Sequence, residues 1–587
     1  MSNGAIGRPY RKNFWPVLVL VAMPLILAMV HRDWLYTQIG YLDPWFNVGL
    51  FLHYSDPTFL AGHYKESRLS WIAPGFVLYR VVGPWAANMT LHLGALIVAT
   101  VFLYLSLVRL VARQTALIIA TLLTFYVPFL GSGGWDYQTT PSGAYYAVTL
   151  YCVTRAAEAI LSPLWLFLSG IAFAATFHSD IIFVNMVPVL VAQYFALGSP
   201  RRTWKDIAQA ALWPLLGFVA LTLALCIFAW SFGRAFFFFW PIVRIVFHYV
   251  GDTSTMQSWW LPWSNLWFTE PIAVSYLAAP FTVLMICMAL FVAYRFRSLF
   301  PFHSVTLDRT RLFLIGQFVF LALLWIFWQS IGHVALEPEY FAYPLIIPMM
   351  VGLAGLRAPR PVDNLLPALI FAATLTATLI AARFGLGIES FRIDWTTRLL
   401  VLTKLAAFGA VVLAFRIRPV SIGTAASCVA FPAFLLLSVN SYPSWSSLGR
   451  ECSLWETEFE TLMSLDSTVQ RLPKARTFVW LGPTEPEALR GTRGAACGNR
   501  LPDLKASFSS LGYPTLGTAA QSTEDLRGEE AAALLPGDQI VALVFDKDQV
   551  DALESRLHRA GKILASVLHE YRMFQGKQVS FQVLVVS

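Results

Sequence analysis

A succession of apolar stretches, each long enough to cross a bilayer, decides what this chain can fold into. Roughly 17–25 residues meet that length. Such stretches fall at 14–30, 89–110, 115–131, 143–158, 159–177, 181–198, 208–231, 271–294, 312–331, 340–356, 365–382, 399–415 and 421–439. In lipid every backbone N–H and C=O must be satisfied inside the protein, so runs of this kind become helices. The sequence therefore predicts a polytopic α-helical membrane protein with about 13 transmembrane helices. A hydrophobic fraction of 57%, charged residues at 13% and a mean hydropathy of +0.60 exclude an ordinary soluble protein.

Charge then sets orientation. The net charge of +8 suits nucleic acid in principle, yet the Lys and Arg sit mainly in short segments between apolar runs, so no nucleic-acid partner is expected. Arg8, Arg11 and Lys12 precede the first span, and Arg113, Arg155, Arg201, Arg202, Arg295, Arg357 and Arg416 recur at alternate turns. The opposite turns at 132–142, 178–180 and 332–339 carry no Lys or Arg. The positive-inside rule then makes the N-terminus cytoplasmic and the tail after Asn440 extracytoplasmic. The first span has charged flanks and no small-residue cleavage site, so it reads as a retained helix rather than a signal peptide.

Composition divides the chain into a membrane domain, 1–440, and a soluble extracytoplasmic α/β domain, 441–587. Within the second, Thr477–Leu481, Gln539–Phe545, Ile563–Val567 and Val579–Val586 read as strands and Asp548–Ala560 as a helix. Its expected role is to shape or gate the outer face of a site, with a purely stabilising cap as the alternative. Two outer connections of the membrane domain are long, 31–88 and 232–270, and both are rich in aromatic and ionisable residues. Cys152, Cys226, Cys287 and Cys428 fall in apolar spans as packing residues, whereas Cys452 and Cys497 lie in the polar tail as a plausible oxidised pair or two free thiols.

The first long connection opens with Gly40-Tyr41-Leu42-Asp43-Pro44-Trp45-Phe46-Asn47. Pro44 suits the first turn of a helix and Asp43 can cap it. The apolar face that follows predicts a helix lying flat on the bilayer with Trp45 at headgroup level. An acid held at that boundary suits a substrate with a polar head and a lipid tail, although an isolated Asp-Pro pair is also an ordinary cap. A second acid, Asp136, follows Gly131-Ser132-Gly133-Gly134-Trp135 at the outer end of the third span. The two carboxylates, Asp43 and Asp136, could hold a divalent cation (Mg or Mn), or divide the work between a base and an acceptor-orienting group.

These residues resemble a family. Asp-Pro-Trp-Phe-Asn is similar to the Asp-Pro-Tyr-Phe-Asn element of oligosaccharyltransferase catalytic subunits, and Gly-Gly-Trp-Asp-Tyr-Gln to their Gly-Ser-Tyr-Asp-Asn-Glu element. Those proteins are GT-C glycosyltransferases, as are protein O-mannosyltransferases and lipid A aminoarabinose transferases. The resemblance implies sugar transfer, with inversion, from a polyprenyl-phosphate-linked donor to an acceptor hydroxyl of a glycan, lipid or glycolipid. The reaction would take place at the extracytoplasmic face of a membrane, the bacterial inner membrane by analogy. It implies catalytic roles for Asp43 and Asp136. Gln138 stands at the second acidic position, which weakens the case for a metal, and the element that reads protein sequons is absent. Glu339 replaces the usual lipid-phosphate Arg, so Lys65, Arg68, Arg244 or His248 is expected to bind that phosphate. His178 and His333 also lie at outer span ends and are expected to be satisfied interfacial polar residues. The alternatives are a transporter or flippase of lipid-linked sugars, which predicts ionisable residues in mid-span, and a polysaccharide polymerase or ligase.

Overall fold

The computed structural model describes residues 10–30, 42–111, 113–124, 139–158, 162–197, 204–251, 476–481, 511–513, 515–516, 533–544, 547–559, 561–574 and 577–586. Leu35, Phe129, Gln317, Phe320, Leu324, Ile347, Val351, Phe459 and several positions of 462–471 are described as well. The spans expected beyond 270, Asp136 and the two polar-tail cysteines lie outside these residues, apart from single positions of the two spans at 312–331 and 340–356.

The helices follow the apolar runs. They are α1 (Tyr10–Val30), α2 (Leu42–His53), α3 (Leu69–Val82), α4 (Pro84–Leu107), α5 (Arg113–Thr124), α6 (Thr139–Glu158), α7 (Ser162–Phe177), α8 (Val187–Leu197), α9 (Trp204–Ser231) and α10 (Trp240–Gly251). Short 3-10 turns at Tyr64–Ser67 and Ile181–Met186 interrupt the series. The run at 181–198 is thus not one helix. Pro188 would clash with the carbonyl four residues earlier in a continuous helix, so the α-helix starts at Val187 and keeps Pro188 in its first turn. Between α3 and α4 the chain turns at Gly83, whose φ of +80° favours glycine, and Pro84 then opens α4.

Among the described residues, Pro84–Leu107 and Asp206–Ser231 are long and apolar enough to cross a membrane. The second is bare on much of its circumference: Ile227 is 58% and Trp230 68% exposed, and Leu212, Leu215 and Leu223 are exposed beside them. Water would not tolerate so large a continuous apolar surface, whereas a bilayer matches it. The chain is on these grounds an integral membrane protein. Small residues set the helix spacing: a Cβ placed on Gly170 of α7 would overlap the Pro214 carbonyl of α9, and one on Gly217 of α9 the Phe167 carbonyl of α7. The two backbones are in contact there, as in other small-residue membrane crossings.

Helices α2 and α3 form a packed pair under the first long connection. Phe51 meets Trp71 edge-on at 5.4 Å and Tyr79 at 5.2 Å, and Gly75 is the gap that admits the Phe51 ring. Tyr54 stacks on Phe228 of α9 at 5.6 Å. The expectation for Trp45 is overturned here. It is fully buried, with Phe459 from the distal part of the chain 6.1 Å from its ring. Helix α2 is therefore covered by protein and does not lie on the headgroups, because a second aromatic surface remote in sequence competes for its apolar face.

The distal residues build a mixed sheet in the order β2-β1-β3-β5-β4. Its strands are β1 (Thr477–Leu481), β2 (Thr515–Leu516), β3 (Gln539–Val544), β4 (Leu564–Phe574) and β5 (Lys577–Val586). Strand β1 runs parallel to β2 and β3, with Phe478 opposite Ile540, while β5 lies antiparallel to β3 and β4, with Val583 opposite Val541. Helix α11 (Lys547–Arg559) connects β3 to β4. The strand runs read from sequence coincide with β1, β3 and β5. The third run is extended, since β4 continues to Phe574.

Candidate functional site

The 3-10 turn Tyr64–Ser67 is the hub of the first long connection. His63 starts it, its Nδ1 accepting from the Lys65 N–H at 3.4 Å. A tight turn sends successive side chains to different neighbours, and here each finds one. Lys65 is fully buried, its Nζ 4.8 Å from the Tyr64 ring centroid. Glu66 turns to Arg234, Ser67 donates to the Phe238 carbonyl at 3.1 Å, and the Arg68 guanidinium lies 5.5 Å from the Tyr64 ring centroid.

Arg234, from the second long connection, is nearly buried and ties this loop together. Its Nε donates to the Tyr54 carbonyl at 2.9 Å, Nη1 to the Phe59 carbonyl at 3.1 Å and to Glu66, and Nη2 to the Asp56 carbonyl at 2.7 Å. The guanidinium also sits 4.3 Å from the Tyr54 ring centroid. Burial pushes the Glu66 carboxyl up from its ordinary range, against the pull of Arg234. This fork of donors suits Arg and no other side chain.

Asp180 was not singled out in the sequence, where an Asp at a span end reads as a cap. It does cap the turn Ile181–Met186, its Oδ1 accepting from the Ile182 N–H at 3.1 Å. Its Oδ2 is buried with no hydrogen-bond partner among the described residues. Burial raises the carboxyl to about 6, while the hydrogen bond from Ile182 and the charges of Arg68 and Lys65 draw it down. The preceding Ser179 holds Asp180 near those cations: its Oγ is 2.7 Å from that of Ser70, in the first turn of α3.

Asp43 lies in the first turn of α2, one residue inside the helix rather than ahead of it. Arg244 is on α10 and exposed, with His248 four residues further along the same helix. The Ile242 N–H donates to the Ser67 hydroxyl at 3.3 Å, which fastens α10 to the hub. His178 is a satisfied buried residue, its Nε2 2.8 Å from the Thr222 hydroxyl and its ring 5.0 Å from Phe238. Among the described residues no group of three or more His, Cys, Asp or Glu could hold a metal ion.

The distal part of the chain reaches the same loop. Asp466 accepts from the Tyr513 hydroxyl at 2.6 Å and pairs with His53, at the end of α2, at 3.1 Å. Gly512, with a φ of +95°, lies against the Phe59 ring.

No family model and no curated protein matches this chain. Solved structures do. The apo form of ArnT from Cupriavidus metallidurans is 13% identical over 97% of this chain and 98% of its own, with a TM-score of 0.46. The same protein bound to undecaprenyl phosphate is 14% identical over the same shares, with a TM-score of 0.45. The archaeal oligosaccharyltransferase AglB from Archaeoglobus fulgidus, in complex with an inhibitory peptide and a dolichol-phosphate, is 13% identical with a TM-score of 0.39. That match covers 86% of this chain and 64% of AglB.

Proposed function

We propose that this chain is a membrane glycosyltransferase of GT-C type, moving a sugar from a polyprenyl-phosphate-linked donor to an acceptor hydroxyl at the extracytoplasmic face. One observation carries the reading. Buried Lys65 and half-buried Arg68, in the same connection as Asp43, are the cations whose charges act on Asp180, a buried acid just after the apolar helix α7. Buried charges of this kind are costly in a structural role and cluster where chemistry needs them.

In this reading the donor's tail lies in lipid and its phosphate meets Lys65 and Arg68. Asp43 takes the proton from the acceptor hydroxyl. The acceptor oxygen then attacks the anomeric carbon from the face opposite the phosphate. The carbon–oxygen bond to phosphate breaks, its electron pair leaves on the lipid phosphate, and configuration inverts. The two cations stabilise the charge that grows there. Asp136 orients the acceptor, and Arg244 and His248 on α10 attract the phosphate from outside the buried group. The N-terminus is cytoplasmic and the sheet-bearing part extracytoplasmic, in a bacterial inner membrane. The acceptor is an envelope glycan, lipid or glycolipid.

The test is mass-resolved transfer from a panel of polyprenyl phosphate sugars to envelope lipids. Asp43→Asn should insert normally and lose turnover by roughly 10²–10⁴-fold, the usual worth of a general base. Full activity in that variant removes Asp43 as the base.

A further inference from the structure

Asp180 is left without a task by the transfer just described. Its side chain belongs to a residue only 6% exposed, in the turn between α7 and the 3-10 segment Ile181–Met186. Capping occupies Oδ1 alone. Asn or Ser would cap the same turn without burying a carboxylate, so capping does not account for the charge. The second oxygen, Oδ2, accepts nothing from the described residues. Leaving such an atom dry and unpartnered is unfavourable unless a ligand completes it.

Its surroundings say what that ligand is. The Ser179–Ser70 contact fixes Asp180 to the first turn of α3, two residues beyond Arg68, and Ser70 also donates to the Ala175 carbonyl at 2.6 Å. Arg68 and Lys65 are the cations whose fields reach it. A ligand held here meets the fields of two positive charges together with a hydrogen-bond acceptor. A phosphate joined to a polyhydroxylated or amino-bearing head has that polarity.

We propose that Asp180 reads the sugar head of the donor, its Oδ2 accepting a hydrogen bond from a sugar hydroxyl or amine while Lys65 and Arg68 face the phosphate. The inference rests on the transfer reading above and adds a substrate-contacting residue to it. It carries a consequence of opposite sign for the two lipids. The loaded donor, a phosphodiester of one negative charge, supplies the missing hydrogen bond. The spent lipid phosphate has no sugar, carries more negative charge and is repelled by the same carboxylate. Asp180 thereby favours entry of the loaded lipid and departure of the spent one.

The full-length protein in nanodiscs can be titrated with undecaprenyl phosphate and with undecaprenyl phosphate sugars, beside steady-state turnover. Asp180→Asn keeps an oxygen for the Ile182 N–H and removes the charged acceptor. Expected are a KM for the sugar donor raised about tenfold or more, kcat changed by less than about threefold, and binding of bare undecaprenyl phosphate unchanged or tighter. Asp180→Ala should shift the two lipids in the same directions while melting below Asp180→Asn through loss of the cap. Equal weakening of both lipids in Asp180→Asn, or an unaltered KM, would overturn the role assigned to Asp180. An unaltered chain that binds undecaprenyl phosphate but transfers from no sugar donor would instead sink the transfer reading, and the binding arm still separates loaded from spent lipid without turnover.

Discussion

At the scale of single residues, Arg234 and Asp180 are buried charges of different kinds. Arg234 is fully committed: three carbonyls, Glu66 and the Tyr54 ring share its guanidinium. Arg234→Met strands a buried carboxylate and three acceptors, and should cost about 3–5 kcal/mol. Arg234→Lys should recover little, since an ammonium lacks the fork. Thermal unfolding in detergent checks both. Asp180 is only half committed, and its titration shows it. A carboxyl raised to about 6 in the folded chain, above its value near 3.9 unfolded, contributes stability that is complete below pH 4 and lost as pH rises through 6. Asp180→Asn should therefore stabilise the fold at pH 8 by on the order of 2–3 kcal/mol, read as a Tm above the parent's, and leave Tm nearly unchanged at pH 4. Neither role is legible in sequence. Arg234 looks like one more loop charge beside Arg244, and Asp180 like any cap, because what distinguishes them is where chain segments far from each other in sequence place their carbonyls.

At the scale of elements, what sequence shows is governed by local necessity. A segment in lipid must be helical and apolar over its own length, so α1, α4, α6, α7 and α9 can be read from a window of about 20 residues. The break before α8 is equally local, because Pro188 acts on the preceding turn. Helix contacts are less visible. Gly170 and Gly217 are ordinary glycines until α7 and α9 are laid together and each is found against the other helix's backbone. Gly170→Ala should force the pair apart and destabilise the fold by about 1–3 kcal/mol, the usual cost of overpacking. Gly62, which has open space at its Cβ position but a φ of +75°, serves as a comparison for a purely conformational effect. Tm of the two variants in matched detergent distinguishes packing from backbone strain.

At the scale of the whole molecule, the distal residues matter to the first long connection more than their remoteness suggests. The sequence alone anticipates several strands of this part. It does not show that Phe459 covers Trp45, or that Asp466 joins His53 to Tyr513. The flat surface helix expected for 42–53 fails for that reason: the apolar face predicted for lipid is claimed by protein. Tyr513→Phe removes one of the two bonds to Asp466 Oδ1 and should cost about 1 kcal/mol. Faster amide deuterium exchange in the last turn of α2, with the α7–α9 pair unaffected, would mark the loosened tie. Elsewhere in this part, Asp538 works against its own burial. Hydrogen bonds from Arg476 and the Leu535 N–H, with the charges of Arg476 and Lys562, outweigh desolvation and hold its carboxyl below the usual range. Its contribution is present above about pH 4 and is lost as acid protonates it, so the sheet should loosen first on acidification.

The reach of Phe459, Asp466 and Tyr513 back to α2 also has a consequence for biosynthesis. Domains fold as their residues emerge from the ribosome, N-terminal parts first. Here a nascent chain halted before residue 459 presents α2 without part of its cover, however long its earlier helices have been in the membrane. The first long connection is made early and finished late, so truncated translation products carry Asp43 on a helix that lacks part of its cover.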